Sequence, residues 1–291
     1  MRRILRNIRK TLWRALDHDV FNTAKAVAYS GMLCVFPAAL VFTALLAMLP
    51  VGSSLVDELR NSLESLLPPG SMSLLSGTLN EHPLGSTQLI LSATSLSLFA
   101  GLGVMLSLME GFRRAYRRRR DDWGFWQKRF RALMLVPIVL VPLALASLLL
   151  MFGHQIEVWM VARSGHELRH VVLFFWRLVR WALSVTTAVT VLAALYHFGT
   201  RQTEHWGWVL PGALGATLMW FPATLAFGWY VTRVADYSRF YGSFAAGIAT
   251  LVWLYLTSFS ALLGAEFNGT LCEKRLNRAA ANNTTSAVPS L

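Results

Sequence analysis

Charged residues are scarce in this chain, and their scarcity excludes most soluble protein classes. Only 14% of the 291 residues are Asp, Glu, Lys or Arg, whereas 55% are hydrophobic and the mean hydropathy is +0.46. Cysteine is also rare: Cys34 lies inside an apolar run and Cys272 follows another, so no disulfide bond is expected. This composition is typical of an integral membrane protein.

Acidic residues are fewer than basic ones, which leaves a net charge of +12. Such an excess would suggest a nucleic-acid partner if it lay along one soluble face. Instead, nine of the 27 Lys and Arg residues fall within residues 113–131, between two long apolar runs. The sequence therefore predicts no nucleic-acid partner, and we interpret this stretch as a cytoplasmic loop that orients the protein in a membrane.

The predicted fold is all-α: a polytopic membrane helical bundle with six transmembrane helices, because six apolar runs are long enough to cross a bilayer. Prolines interrupt several runs, and a buried position in a bundle tolerates the backbone hydrogen bond that each proline removes. The predicted spans are residues 26–49, 87–109, 132–152, 172–198, 208–231 and 243–267.

The distribution of positive charge predicts that both termini are cytoplasmic (N-in/C-in). Of the 27 Lys and Arg residues, 20 lie in segments 1–25, 110–131, 199–206 and 268–291, which this topology places inside. Residues 1–25 are predicted to form an amphipathic helix on anionic headgroups at the cytoplasmic face, and residues 53–86 an outer amphipathic segment. Residues 110–131 form the basic loop, and the cytoplasmic tail 268–291 is expected to be disordered from Asn277 onward.

Three stretches of the chain resemble the YihY/BrkB family of bacterial inner-membrane proteins. They are residues 24–37 (AKAVAYSGMLCVFP), residues 210–213 (LPGA) with Trp220 and Tyr230, and residues 240–268 (FYGSFAAGIATLVWLYLTSFSALLGAEFN). The resemblance covers roughly residues 10–275 and implies a multi-pass protein of the bacterial inner membrane. It also implies links to serum resistance, to envelope lipid transport and, under a name regarded as mistaken, to a ribonuclease BN.

Charges at the rims of spans are the strongest candidates for function, because burying a charge is costly unless it is paired or lines a wet path. Glu266 ends the sixth predicted span, where it is either a structural partner of an inner arginine such as Arg131 or a gating or proton-coupling carboxylate. Glu110 allows the same two interpretations. The full set of candidate functional or gating residues is Glu266, Glu110, Tyr29, Pro37, Tyr241 and Gly264.

A second candidate group consists of arginines near the outer ends of spans. They are either interfacial side chains that snorkel to water or a cluster that binds an anionic ligand through bidentate hydrogen bonds. These residues are Arg177, Arg180, Arg233 and Arg239.

Residues 166–170 match the H-E-x-x-H pattern of zinc peptidases. On a helix, this spacing would place His166 and His170 on one face to bind zinc, with Glu167 beside them to activate water. The pattern has only three fixed positions and lies in a short outer connection without an obvious third ligand. We therefore predict no metal site and no cofactor, with His166 and His170 as weak candidates.

Transport or translocation of an envelope lipid or another anionic solute is the function that the sequence favours. A non-enzymatic envelope or virulence-associated scaffold is the alternative, and a zinc peptidase a remote one. A metal-dependent ribonuclease would need a cluster of acidic residues, whereas the nearest approach is the pair Asp121 and Asp122. We therefore expect no enzymatic activity; membrane lipids are the expected partners, and a homo-oligomer is left open.

Overall fold

The computed structural model of the chain describes residues 2–48, 87–116, 123–163, 169–200, 206–234 and 244–286. In these ranges the chain is helical throughout and contains no β-strand, which confirms the predicted all-α class. The helices are α1 (Arg2–Asp17), α2 (Val20–Met48), α3 (Thr87–Ala115), α4 (Phe125–Arg163), α5 (Arg169–Phe198), α6 (Trp206–Trp229), a π-helical segment (Tyr230–Val234) and α7 (Ala245–Ser286).

Five of the described helices contain stretches that are long and apolar enough to cross a membrane. These stretches are Leu91–Ala115, Phe125–Ala146, Phe174–Phe198, Trp206–Trp229 and Gly247–Arg275. They overlap the last five predicted spans. The first predicted span, 26–49, lies largely within α2, but most side chains after Pro37 fall outside the described residues.

Several helices are longer than the sequence predicted. The third predicted span ends at residue 152, but α4 continues to Arg163, because residues 153–163 contain no proline and polarity alone does not end a helix. The tail expected to be disordered from Asn277 is helical as far as Ser286; its three alanines, Ala279 to Ala281, favour a helix, whereas residues 282–286 do not. The outer segment 53–86 lies outside the described residues, and so do residues 117–122 of the basic loop.

The segment predicted as one amphipathic helix over residues 1–25 is divided by a tight turn between α1 and α2. Asp19 adopts a left-handed backbone conformation (φ 58°), which aspartate tolerates better than most residues. Its carboxylate accepts a hydrogen bond from the Asn22 side chain (2.7 Å), and its carbonyl accepts one from the Thr23 amide (3.1 Å). Only His18 and Asp19 therefore separate the two helices.

The chain divides into two compact units. The first comprises Met1–Arg14, Phe112–Leu218 and Leu263–Leu291, and the second comprises Ala15–Gly111 and Met219–Leu262. In the second unit, small residues bring helices together: Gly31 of α2 faces Leu254 of α7, and Gly103 of α3 faces Ser30. In the first unit, α4 packs against α5.

Candidate functional site

In the first unit, a polar edge of α1 lies against the C-terminal half of α7. The hydroxyl groups of Thr11 and Thr270 are 3.4 Å apart and both residues are buried. One turn away, the Lys10 ammonium donates to the Glu273 carboxylate at 3.0 Å, at the partly exposed edge of the contact. The α1–α7 contact is therefore polar rather than apolar.

Arg14 is the centre of this contact. Although it is an arginine, it is only 4% exposed. Its Nε lies 3.4 Å from Glu266 Oε2, and its Nη1 donates to Glu273 Oε2 at 3.0 Å. Its Nη2 donates at 2.8 Å to the carbonyl of Ala115. Because Ala115 is the last residue of α3, its carbonyl is one that the helix itself leaves without a partner.

We call Arg14, Glu266 and Glu273 the charged cluster. The Glu266 side chain is fully buried, whereas Glu273 is partly exposed and also pairs with Lys10. Together with Lys10, the cluster carries two positive and two negative charges and is neutral. Neutrality matters because an uncompensated charge at a buried position is very costly, while a matched pair roughly offsets the loss of solvation.

Asn268 joins α7 to the start of α6. Its amide group donates to the Val209 carbonyl at 2.9 Å, and its side-chain oxygen accepts from the Gly212 amide at 2.7 Å. Pro211 lies between these two positions and disturbs the regular hydrogen bonds of its helical turn. A carboxamide offers both a donor and an acceptor, so one side chain serves both backbone groups.

The α6–α7 crossing is close because it is built from small residues. A Cβ added at Gly212 would collide with the Asn268 side chain and the Gly264 carbonyl. A Cβ added at Gly264 would meet the Tyr196 hydroxyl at 2.5 Å and the Ala216 methyl at 2.7 Å. Gly212 and Ala216, four residues apart on α6, therefore allow a close approach to α7, where Gly264 is their counterpart.

Tyr196 of α5 completes this packing. It is fully buried, and its ring meets Phe112 edge-on at a centroid distance of 5.2 Å. Tyr196 and Phe112 thus connect the ends of α5 and α3 beside the crossing.

A second cation-rich feature of the first unit lies at the start of α4. The Arg129 guanidinium is 3.4 Å from the centroid of the Phe125 ring, and the Arg131 guanidinium is 5.0 Å from that of Trp123. Aromatic and cationic side chains alternate here and are largely exposed. We call Phe125, Trp126, Arg129, Phe130 and Arg131 the basic aromatic surface.

Glu266, the leading sequence candidate, is thus a buried ion-pair partner, but of a different arginine from the one expected. Its partner is Arg14, whereas Arg131 is exposed beside Trp123. Arg14 belongs to the N-terminal segment that the sequence predicts to lie on anionic headgroups, but the structure buries it against α3 and α7. The other acidic candidate, Glu110, is half-buried in α3 and belongs to the second unit.

The remaining candidates lie apart or outside the described residues. Tyr29 is exposed on α2, Pro37 is buried in the same helix, and Gly264 lies at the α6–α7 crossing. Arg177 is exposed and Arg180 half-buried on α5, and Arg233 is exposed in the π-helical segment. Tyr241, Arg239 and His166 lie outside the described residues, as does the side chain of His170.

Within the described ranges, no group of three or more His, Cys, Asp or Glu side chains could hold a metal ion. The candidate site is therefore a set of paired charges and helix contacts.

A family model described as virulence factor BrkB matches residues 11–288, nearly the whole chain. The chain belongs to the BrkB family. The resemblance in its first span, at residues 210–213 and in residues 240–268 is thereby confirmed.

Curated BrkB relatives include two groups. A Bacillus subtilis protein named ribonuclease-like protein YfkH is 26% identical over 262 residues, which cover 89% of this chain and 92% of that protein. UPF0761 membrane proteins of Chromohalobacter salexigens and Aromatoleum aromaticum are each 28% identical, covering 94% and 86% of this chain. The chain spans only 64% and 60% of those two relatives. No solved structure matches the chain significantly.

Sequence reasoning missed four residues of this BrkB-family site: Arg14, Glu273, Asn268 and Tyr196. One signal was available, because Glu266 and Glu273 are seven residues apart and so lie on one face of α7. Arg14 and Asn268 carried no comparable signal, because their partners are far away in the sequence.

Proposed function

We propose that the chain is a six-span protein of the bacterial inner membrane with both termini in the cytoplasm. The main support is the contact between α1 and the C-terminal half of α7 in the first unit. If the two ends of the chain lie on the same side of a membrane, the number of spans between them is even. Five candidate spans are present in the described residues, and we propose the apolar helix α2 as the sixth. The excess of positive charge in the inner segments favours the cytoplasm.

Reporter fusions test this topology. A fluorescent protein that folds only in the cytoplasm and a phosphatase active only outside it are fused in turn before Met1 and after Leu291. Fluorescence without phosphatase activity at both ends is expected. Opposite signals at the two ends would contradict the even number of spans.

We further propose that the protein transports or translocates an anionic envelope lipid or another anionic solute. The observation that carries this proposal is the buried pair of Arg14 and Glu266. An apolar pair of similar volume would fill the same space with equal or greater stability, so a bundle that only needs to be stable does not require it. The pair suits a contact that breaks and re-forms during a transport cycle. In such a cycle, the Arg14 guanidinium would leave Glu266 and bind an anionic group of the transported molecule.

Two further features support a bundle that rearranges. Prolines lie inside α2 and α4, at Pro37, Pro137 and Pro142, and each one removes a backbone hydrogen bond from its helix. The α6–α7 crossing relies on the Asn268 carboxamide, a polar contact between helices that can be broken without exposing apolar surface. The resemblance to a family linked to envelope lipid transport points in the same direction.

The test is lipid translocation in proteoliposomes that contain labelled anionic and zwitterionic lipids. The variants are Glu266→Gln, Arg14→Gln and Arg180→Ala, of which the first two remove one charge of the buried pair. Arg9→Gln and Asp17→Asn are matched controls, because both are exposed on α1. We expect the wild type and both controls to move anionic lipid, and Glu266→Gln and Arg14→Gln to lose most of that activity. Thermal unfolding of each variant separates loss of function from loss of fold.

No movement of any lipid by correctly inserted wild-type protein would overturn the translocase proposal. That result would favour a carrier of small anionic solutes or a non-enzymatic scaffold instead. A scaffold is favoured by one observation, namely that Arg14 already donates hydrogen bonds to Glu273 and to the Ala115 carbonyl and pairs with Glu266, as expected of a fixed structural contact.

We propose no enzymatic activity for the chain. The name of the Bacillus subtilis relative suggests RNA cleavage, which in metal-dependent enzymes needs acidic side chains gathered around metal ions. The 15 acidic residues are dispersed, and the described ones include no such group. Anionic headgroups of membrane lipids are the partners that we propose instead, with the basic aromatic surface of α4 as their contact.

A further inference from the structure

Among the residues from Arg9 to Asp17, whose side chains the structure describes, helix α1 presents one buried edge and two exposed edges. Thr11 and Arg14 are buried against other helices. Leu12 and Leu16 lie one turn apart on another edge, where they are 49% and 56% exposed. Asp17 is exposed about 100° further around the helix from Leu16. In the described part of the chain, the apolar edge is thus about half exposed and is distinct from the edge that carries Arg14.

Two observations place α1 at the level of a membrane boundary. Its cluster partners Glu266 and Glu273 lie at the C-terminal end of the candidate span Gly247–Arg275. Its own C-terminus is joined by the two-residue turn at His18 and Asp19 to α2. A helix held at both points cannot move far from the headgroup region.

We infer that the Leu12–Leu16 edge of α1 is a membrane-docking surface that inserts into the acyl region of the lipid leaflet on the side of the termini. Trp13 is 64% exposed and lies beside Leu16 on the side of the helix toward Asp17, and its amphipathic ring favours the boundary between headgroups and acyl chains. Interfacial helices ordinarily keep their cations in water above an inserted apolar face. Here Arg14 instead points into the protein. Helix α1 therefore contacts α7 through the Arg14 ion pairs and contacts lipid through Leu12 and Leu16.

This inference deepens the proposed function without depending on transport. It rests on α2 and α7 as membrane spans, and the reporter fusions decide which leaflet is meant. If α1 follows movements of the lipid leaflet in which it is inserted, the Arg14–Glu266 pair would transmit those movements to α7, the last span. Transport could fail while the docking surface stands, because the two are measured separately.

Site-directed spin labelling of the full chain in nanodiscs of phosphatidylethanolamine and phosphatidylglycerol tests the docking surface. The background replaces Cys34 and Cys272 with alanine, and single cysteines are introduced as Leu12→Cys, Leu16→Cys and, as the control, Asp17→Cys. Each label is probed with oxygen, which concentrates in acyl chains, and with a water-soluble nickel chelate. All three positions are exposed, so the labels need no repacking of the protein.

We expect the ratio of oxygen to nickel accessibility to be several-fold higher at positions 12 and 16 than at position 17. Nickel accessibility at 12 and 16 equal to that at 17 would overturn the inference, because the edge would face water. Low accessibility of positions 12 and 16 to both reagents would also overturn the inference, because protein would then cover the edge. Spin–spin broadening of the spectra would show that the cover is a second copy of the chain. Its absence would show that another segment of the same chain covers the edge. A wild-type elution profile in size-exclusion chromatography confirms that each labelled protein is folded.

Discussion

At the scale of single residues, two glycines on α6 give the sharpest contrast, because only one of them has room for a methyl group. A Cβ at Gly212 would collide with Asn268 and the Gly264 carbonyl, whereas Gly215 has nothing within 4 Å of that position. We expect Gly212→Ala to destabilise the protein by about 1–3 kcal/mol through overpacking. Gly215→Ala should stabilise it by about 0.5–1 kcal/mol, because alanine favours a helix. Thermal unfolding in one detergent measures the stability change of both variants. Equal shifts of the unfolding temperature would contradict the close α6–α7 crossing.

The charged cluster predicts a graded response to charge removal. Glu266→Gln leaves Arg14 with one carboxylate fewer in a buried position, and breaking such a pair costs about 3–5 kcal/mol. Lys10→Gln removes the exposed partner of Glu273 and should cost only about 0.2–1 kcal/mol. Thermal unfolding at low and high salt gives both values. Only the Lys10 effect should diminish with salt, since buried pairs are screened less.

At the scale of helices, the sequence predicted positions better than orientations. Hydropathy located the later spans, because a bilayer requires apolar runs of that length. It did not give the orientation of α1, since periodicity shows that leucines and cations occupy different faces but not which face meets protein. Arginine is seldom buried, so nothing in the local sequence of α1 predicted the burial of Arg14. A pair of charges 259 positions apart, such as Arg14 and Glu273, leaves no local pattern to detect.

The basic aromatic surface of α4 makes a prediction about lipid retention. Arg129 lies beside the exposed Phe125 ring and Arg131 beside the half-buried Trp123 ring, and guanidinium groups bind phosphate through paired hydrogen bonds. We expect Arg129→Gln with Arg131→Gln to retain less phosphatidylglycerol than the wild type in native mass spectrometry of detergent-purified protein. Phosphatidylethanolamine retention should be unchanged.

The matched control for this prediction is Arg177→Gln with Arg233→Gln, which likewise removes two positive charges, both from exposed arginines outside α4. Equal loss of phosphatidylglycerol in the control would mean that total charge, and not the basic aromatic surface, decides retention.

At the scale of the whole molecule, α1 is the element whose removal tests how the ends of the chain depend on each other. Deleting residues 2–17 removes the guanidinium that neutralises Glu266 and that caps the Ala115 carbonyl of α3. The other helices keep their apolar runs, so the truncated chain should still insert, but with lower thermal stability. If the loss comes from the buried carboxylate, Glu266→Leu in the truncated chain should recover part of it.

The same substitution in the full chain should have the opposite sign, because Glu266→Leu there removes a carboxylate from Arg14. This reversal separates charge compensation from packing, since packing would make leucine act in the same direction in both backgrounds. Unfolding temperatures of the four proteins form a double-mutant cycle, and a coupling near zero would show that α1 and Glu266 act independently. A large coupling would instead support the view that the N-terminal helix and the last span form one charge-linked element. That element is the one which the proposed transport cycle would have to open.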